Sequence, residues 1–204
     1  VNGQLRRLIR VSSAALVIGA IVAQAGRAIE AGVFDPTRFF AYFTIQSNLI
    51  GVAAVAWLAL RRDGPRSRPL ELLRGAAAVY LTVTFVVVIL LLSNVDVGLQ
   101  LPWVDFVLHK MFPVVVVADW LLDGPHHRLA FRDDLLWLVY PLLWTVCTVI
   151  RGALDGWYPY PFLDPAQGGY GSVALVVTGI MVVFFALSGA CIWVGNRRTV
   201  AKTS

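Results

Sequence analysis

Charge is scarce in this chain of 204 residues: only 14% are Asp, Glu, Lys or Arg, against 58% hydrophobic. With a mean hydropathy of +0.74 and apolar runs too long for the core of a soluble domain of this size, that scarcity points to a polytopic membrane protein. Lysine is rarer still, two residues against fifteen arginines, and none lies in the last apolar run to hold retinal. Cysteine occurs twice, and Cys147 and Cys191 both fall inside apolar runs, where a buried thiol behaves as a small apolar group and a disulfide framework is not expected. Three histidines form no HExxH pair, no Cys and His ligands cluster, and no Gly-rich phosphate loop appears, so neither a metal nor another cofactor is expected. An internal repeat is also missing, which leaves an inverted-repeat transporter unsupported.

What is present is a set of windows of membrane length. Six stand out, Leu8 to Ala25, Phe39 to Leu60, Gly75 to Ser93, Trp103 to Leu122, Leu135 to Ile150 and Ser172 to Val194. The fourth carries His109, Lys110 and Asp119, but its neighbours would end on opposite sides of the bilayer if it did not cross. The expected fold is therefore all-α, one six-helix transmembrane bundle over residues 1–204. The first window is expected to stay in the mature protein, because it is long for a signal-peptide core and no small-residue cleavage site follows it convincingly.

Thirteen of the seventeen basic residues fall on one side of these windows: Arg6, Arg7 and Arg10, then Arg61, Arg62, Arg66, Arg68 and Arg74, then Arg128 and Arg132, and finally Arg197, Arg198 and Lys202. The positive-inside rule puts that side, and both termini, in the cytoplasm. Arg27, Arg38, Lys110 and Arg151 fall near the outer ends. The pI of about 9.6 thus reads as topology and contact with anionic membrane lipids, and nucleic acid is not an expected partner. Arginine so far in excess of lysine suits a GC-rich bacterial gene, which makes a bacterial plasma membrane the expected location.

An ionisable group inside a span is costly, so His109 is a candidate functional residue. At about 1.5 Å per residue, Thr44 lies roughly 8 Å below the outer end of the second window and His109 roughly 9 Å below that of the fourth. The two side chains can meet. Ser47 and Asn48 follow Thr44 by three and four residues and share its helix face, which must turn away from lipid. Such residues often only tie helices together, or bond back to a carbonyl one turn earlier. With His109 beside it, however, Thr44 gains a general base, and Asp105, one turn before the histidine, can fix the imidazole tautomer or simply sit at the interface. Ser188 lies about 15 Å deeper than His109 and reads as a close-packing residue. His126 and His127 read as a solvated turn. The outer connection from Gly152 to Gly171, rich in Pro, Gly and Tyr, suits either an interfacial belt or a lid over an outward-facing cavity.

The runs FTIQSNL from Phe43, HKMFPVVVVADW from His109 and WYPYPFLD from Trp157 resemble the androgen-induced protein and androgen-dependent TFPI-regulating protein family, and the resemblance extends through all six windows in order. Animal members of that family are integral-membrane threonine hydrolases of fatty acid esters of hydroxy fatty acids. The resemblance implies that Thr44 is the nucleophile and His109, followed by Pro113, its partner, with Tyr160 to Asp164 matching the loop before the last span. QSN after the threonine and Asp105 before the histidine depart from the animal pattern, so the aspartate is not carried by the resemblance, and the fit is closest to bacterial members.

The expectation is a hydrolase of lipid-like esters with Thr44, His109 and Asp105 as catalytic residues and Ser47, Asn48, Lys110, Arg151 and Tyr160 around the substrate. Lys110 and Arg151 are the cations nearest the cavity that could take a carboxylate; alternatively Lys110 snorkels to headgroups and Arg151 pairs with Asp155. Two other readings stay open: a noncatalytic lipid-binding or scaffolding protein, and a transporter whose polar path is lined by Asp105, His109, Lys110, Asp119 and Arg151.

Overall fold

The computed structural model describes residues 3–61, 64–92 and 100–203, with side chains as far as Arg197. Arg62, and the expected end of the third window at Ser93, lie outside the described residues, as do the side chains of Arg198 and Lys202. Among the described residues the secondary structure is helical throughout, as it must be where lipid offers no partner to a free backbone group. The helices are α1 (Gly3–Glu30), the single turn α2 (Pro36–Phe39), α3 (Phe43–Leu60) and α4 (Arg68–Val87, running on through a π turn at Val88–Leu92). Then come α5, continuous over residues 102–122, α6 (Phe131–Asp155) and α7 (Gly169–Thr203), the last preceded by 3-10 turns at Pro161–Leu163 and Pro165–Gln167. Five helices, α1, α3, α4, α6 and α7, are long and apolar enough to cross a membrane. The sixth, α5, carries the polar groups of the site.

Among the long helices α4 is the centre, packing on α3, α5 and α7. Small residues at Gly75, Ala76, Ala77 and Ala78 let neighbours approach closely, which is how membrane helices gain contact when lipid is as apolar as they are. A Cβ at Gly75 would stand 2.2 Å from the ring of Trp137 on α6. That ring is fixed by its indole N–H, which donates to the Leu72 carbonyl at 2.9 Å, while the Tyr80 hydroxyl donates to the Trp137 carbonyl at 2.6 Å. Gly51 on α3 performs the same service under the site, where a Cβ would meet Phe112 at 2.7 Å and Leu81 at 2.9 Å. The outward faces of α6 and α7, with Leu135, Leu136, Leu143, Ile150, Leu175 and Val182 exposed, are apolar and suited to lipid.

Two local departures from regular helix position the site. In α5 the α stretches Pro102–Phe106 and Phe112–Leu122 are joined by a π turn at Val107–Met111, with the Phe112 N–H bonded to the Val107 carbonyl. Pro113 supplies the cause, since it has no N–H to offer His109 four residues back and its ring crowds that carbonyl. The second departure corrects the depth reckoned from Phe39. The chain breaks after α2, Tyr42 is extended, and α3 begins at Phe43, so Thr44 sits in the first turn of its helix. Tyr42 is held there by edge contacts with Trp157 and Tyr160, and the Gln46 amide donates to the Phe40 carbonyl at 2.7 Å.

At the opposite end of the bundle the acidic and basic residues of four chain segments meet. Arg10 of α1 contacts Asp119 at 2.7 Å and Asp123 at 2.6 Å; Arg74 of α4 contacts Glu71 at 2.9 Å and Asp119 at 3.2 Å; Arg66, before α4, pairs with Asp123 and Glu71. All three arginines are buried. Residues whose placement sets topology by sequence are thus turned inward to neutralise carboxylates, and only part of the basic set is left to face lipid headgroups. Burial alone would raise the Asp123 pKa, but the hydrogen bond from Arg10 and the charges of Arg66 and Arg74 overcome it and hold the carboxyl well below its ordinary range. A carboxylate so depressed contributes stability above its unfolded pKa and loses that contribution as pH falls through the folded value. Asp123→Asn should therefore lower the unfolding free energy in detergent by about 3 kcal/mol, the cost of leaving an excess of buried positive charge among Arg10, Arg66 and Arg74. The deficit relative to wild type should shrink only in strong acid, and an unchanged melting curve for the variant at neutral pH would refute the clamp.

Candidate active site

The first turn of α3 and the π turn of α5 bring together side chains 65 residues apart in sequence. His109 Nε2 stands 3.2 Å from Thr44 Oγ1, and His109 Nδ1 stands 2.8 Å from Asp105 Oδ1. Thr44 and His109 are buried, whereas Asp105 keeps about a third of its side chain exposed and also receives Gln100 Nε2 at 3.3 Å and Lys110 Nζ at 3.4 Å. With an ionised Asp105 able only to accept, Nδ1 carries the proton and Nε2 is left with a lone pair facing the threonine hydroxyl. Hydroxyl, imidazole and carboxylate thus stand in line at hydrogen-bond distances, an arrangement that can activate a hydroxyl.

Asn48 fixes that geometry from beneath. Its fully buried amide donates to the carbonyl of Thr44 at 2.8 Å and to the carbonyl of Leu108, the residue before His109, at 3.1 Å. The backbones beside the Thr44 hydroxyl and the His109 imidazole are thereby joined by one side chain. Ser47 bonds the Thr44 carbonyl at 3.1 Å and the Thr84 hydroxyl at 3.2 Å. Neither lines the chamber or the slot that meet at Thr44: Ser47 and Asn48, expected around the substrate, are fully enclosed, and their donors are spent on protein acceptors. Arg151 is corrected likewise. Its guanidinium reaches Asp155 at 3.1 Å and both the carbonyl and hydroxyl of Thr37 at 3.0 Å, and lies over the Trp157 ring, outside both cavities.

Two cavities meet at the threonine. A chamber of about 1010 Å³ opens outward and is lined by Asp105, His109, Lys110, Gln100, Asp164 and Gln167 among others. Tyr158, Pro159, Tyr160 and Pro161 form one wall of it, so the connection after α6 covers a cavity as well as supplying aromatic rings. On the other side of Thr44 a narrow apolar slot runs between α4, α6 and α7, past Tyr80, Val83, Leu138, Leu142, Ile180 and Phe184. Thr44 and Tyr160 belong to both linings. The slot was not foreseen from sequence, since its wall residues are the same Val, Leu, Ile and Phe that face lipid elsewhere. Gln24 was also missed; its side chain accepts the Leu101 N–H at 3.2 Å and fastens the start of α5 to α1.

The residues of the remaining expectations sit elsewhere. Asp119 belongs to the ion cluster with Arg10 and Arg74 and lines neither cavity. Ser188 is buried and bonds back to the carbonyls of Phe184 and Phe185, and His126 and His127 lie on an exposed turn. Among the described residues no three His, Cys, Asp or Glu side chains gather into a metal-ligand set. The chain matches no family model, and no curated protein or solved structure matches it.

The proton positions at His109 can be measured without any substrate. In protein labelled with ¹⁵N-histidine near neutral pH, His109 should give a protonated Nδ1 and an unprotonated, pyridine-type Nε2, and Asp105→Asn should shift that signature. The opposite tautomer, unchanged by Asp105→Asn, would rule out the arrangement.

Proposed function

We propose that this protein is an integral-membrane hydrolase of lipid-like esters, with Thr44 as nucleophile, His109 as general base and Asp105 as the orienting carboxylate. The observation that carries the reading is the unbroken Asp105 to His109 to Thr44 hydrogen-bond chain at the junction of an apolar slot and a polar chamber. An isolated threonine hydroxyl is a weak nucleophile, and a base within hydrogen-bond reach is what makes it competent. An amphiphile suits both cavities: its chain lies in the slot, its polar end in the chamber, and its ester beside Thr44. The resemblance to integral-membrane threonine hydrolases, carried by Thr44, His109 and the Tyr160 to Asp164 loop, supports the same assignment.

In this reading α5 is a sixth crossing, both termini are cytoplasmic, and the protein resides in a bacterial plasma membrane with the site in the outer half of the bilayer. The placement of thirteen basic residues on one side supports that orientation. Substrate enters from the outer leaflet. Thr44 Oγ1 attacks the ester carbonyl as its proton passes to His109 Nε2, and the collapsing tetrahedral adduct expels the alcohol, which takes that proton. Water then attacks the acyl-threonine, giving a proton to His109, and collapse of that adduct breaks the Oγ1–acyl bond, releases the carboxylic acid and returns the proton to Thr44 Oγ1. The chamber lining includes neither Asp119 nor the ion-cluster residues at the other end, which favours the hydrolase reading over a transporter whose polar path would join the two.

A fluorophosphonate probe should label purified wild-type protein on Thr44, and Thr44→Ala should lose both labelling and ester hydrolysis while remaining folded. His109→Ala should cost about 10²- to 10⁴-fold in rate, with a smaller loss for Asp105→Asn. Full labelling of Thr44→Ala, or activity that does not change between about pH 5 and 8, would overturn the assignment.

Lys110 is the one cation of the expected pair that lines the chamber, and its side chain is half exposed. If it receives a carboxylate on the substrate's polar end, Lys110→Gln should raise KM for a carboxylated lipid ester far more than for its methyl ester, with Arg151→Gln affecting both little. Equal effects of Lys110→Gln on the two esters would leave Lys110 as a partner of Asp105 alone.

A further inference from the structure

A hydrolase of this kind needs a donor for the charge that develops on the carbonyl oxygen, and neither Asp105 nor His109 can be that donor: one only accepts, the other holds its free nitrogen toward the nucleophile. We propose that the Tyr160 hydroxyl is a catalytic residue, the hydrogen-bond donor that stabilises the oxyanion formed on attack by Thr44. The proposal rests on the hydrolase reading and adds to it a group that the threonine, histidine and aspartate chain does not contain.

The geometry is specific. The Tyr160 hydroxyl lies 3.3 Å from Thr44 Oγ1 and accepts the Thr44 backbone N–H at 3.2 Å. These contacts allow the protons to run one way: Thr44 N–H to the phenol oxygen, Tyr160 O–H to Thr44 Oγ1, Thr44 O–H to His109 Nε2, and His109 Nδ1–H to Asp105. When the threonine oxygen bonds to the ester carbon, it gives up the lone pair that Tyr160 was addressing. The new oxyanion forms about 2.3 Å from that same Oγ1, one tetrahedral edge away, so a small rotation about the phenol C–O bond redirects the O–H to it. No proton is transferred to the oxyanion. The carbonyl π pair moves onto oxygen, is held there by the hydrogen bond, and returns as the bond to the alcohol breaks.

Three features prepare the phenol for this. Its oxygen sits at the amino end of α3, where a free backbone N–H polarises it and strengthens the O–H it donates. Its ring is enclosed by Phe162 stacked at 5.2 Å and by Tyr42 and Trp144 at 5.7 and 6.0 Å, so the donor is preorganised. Burial raises its pKa above the ordinary phenol value, which keeps the donating proton in place across the working pH range. Tyr160 also lines both cavities at the point where the scissile ester has to lie.

The test compares wild type, Thr44→Ala, Tyr160→Phe and a variant with 3-fluorotyrosine placed at position 160. Each is assayed on a long-chain ester, and each is titrated with an alkyl boronic acid, which becomes tetrahedral and anionic on the nucleophile, and with the matching unreactive ether. Tyr160→Phe should lower kcat by about 10²- to 10³-fold with KM nearly unchanged, weaken the boronate by a comparable factor, and leave ether affinity alone. The fluorinated phenol, a stronger donor of the same shape, should restore the rate. If wild type is inactive the hydrolase reading itself falls. If wild type is active and Thr44→Ala is not, that reading stands, and the Tyr160 assignment falls on either of two results: Tyr160→Phe matching wild type, or boronate and ether affinities dropping together without rescue by the fluorinated side chain.

Discussion

A polar group enclosed by apolar side chains and lipid must find its partner within the protein, because the alternative is the full cost of desolvation. The whole arrangement follows from that requirement. Thr44, Ser47, Asn48 and His109 occupy helices that are otherwise apolar, and each is bonded to another member of the group or to a carbonyl beside it. Satisfying them fixes α3 against α5 more sharply than packing alone could, since dispersion contacts tolerate small slides and a donor with two carbonyl acceptors does not. The same bonds that make these residues tolerable in a membrane set the distance between a hydroxyl and an imidazole.

The bundle carries two such polar assemblies, and they differ in kind. At one end Arg10, Arg66 and Arg74 face Glu71, Asp119 and Asp123, cation and carboxylate balanced and mutually enclosed. Such a network is an anchor: any one member lost leaves the others enclosed with a charge unbalanced. At the other end Asp105 remains partly open, His109 is joined to it by one ring nitrogen only, and Thr44 borders two cavities. Between them lies an apolar layer in which Gly51, Leu81 and Phe112 are packed closely enough that no added methyl group fits. The closed assembly holds the helix ends together, so the open one can be exposed to a ligand without the bundle spreading.

The connection after α6 completes the site for reasons of local chemistry. Tyr158 lies against Gly152, where a Cβ would be only 2.1 Å from the ring, and this close approach turns the chain back over the chamber. The prolines at 159, 161 and 165 make extended backbone and tight turns there, not a further helix. Aromatic contacts from Tyr160 to Tyr42 and Trp144 then join this wall to the break before α3. The break, the wall and the start of α3 form one packed unit, which is why the Thr44 backbone N–H is met by a phenol.

Much of this was written in the sequence. Apolar runs of membrane length give helices because lipid leaves the backbone no other way to bond, and α1, α3, α4, α6 and α7 lie where those runs are. Thr44, Asp105 and His109 were legible because a polar residue at depth is conspicuous against valine and leucine, and helical periodicity put Asp105 one turn from His109. The break at Phe40 to Tyr42 was not legible, for FFAYF is as apolar as a helix interior, and Trp144, Trp157 and Tyr160, which contact Ala41 and Tyr42 there, lie over a hundred residues away. The destinations of charged and amide groups were also left to tertiary structure. Arg151 turned to Thr37 and Asp155, Asn48 to two carbonyls, and Arg10 and Arg74 to buried carboxylates, because sequence position sets how deep a side chain lies but only the neighbouring helices supply its partner.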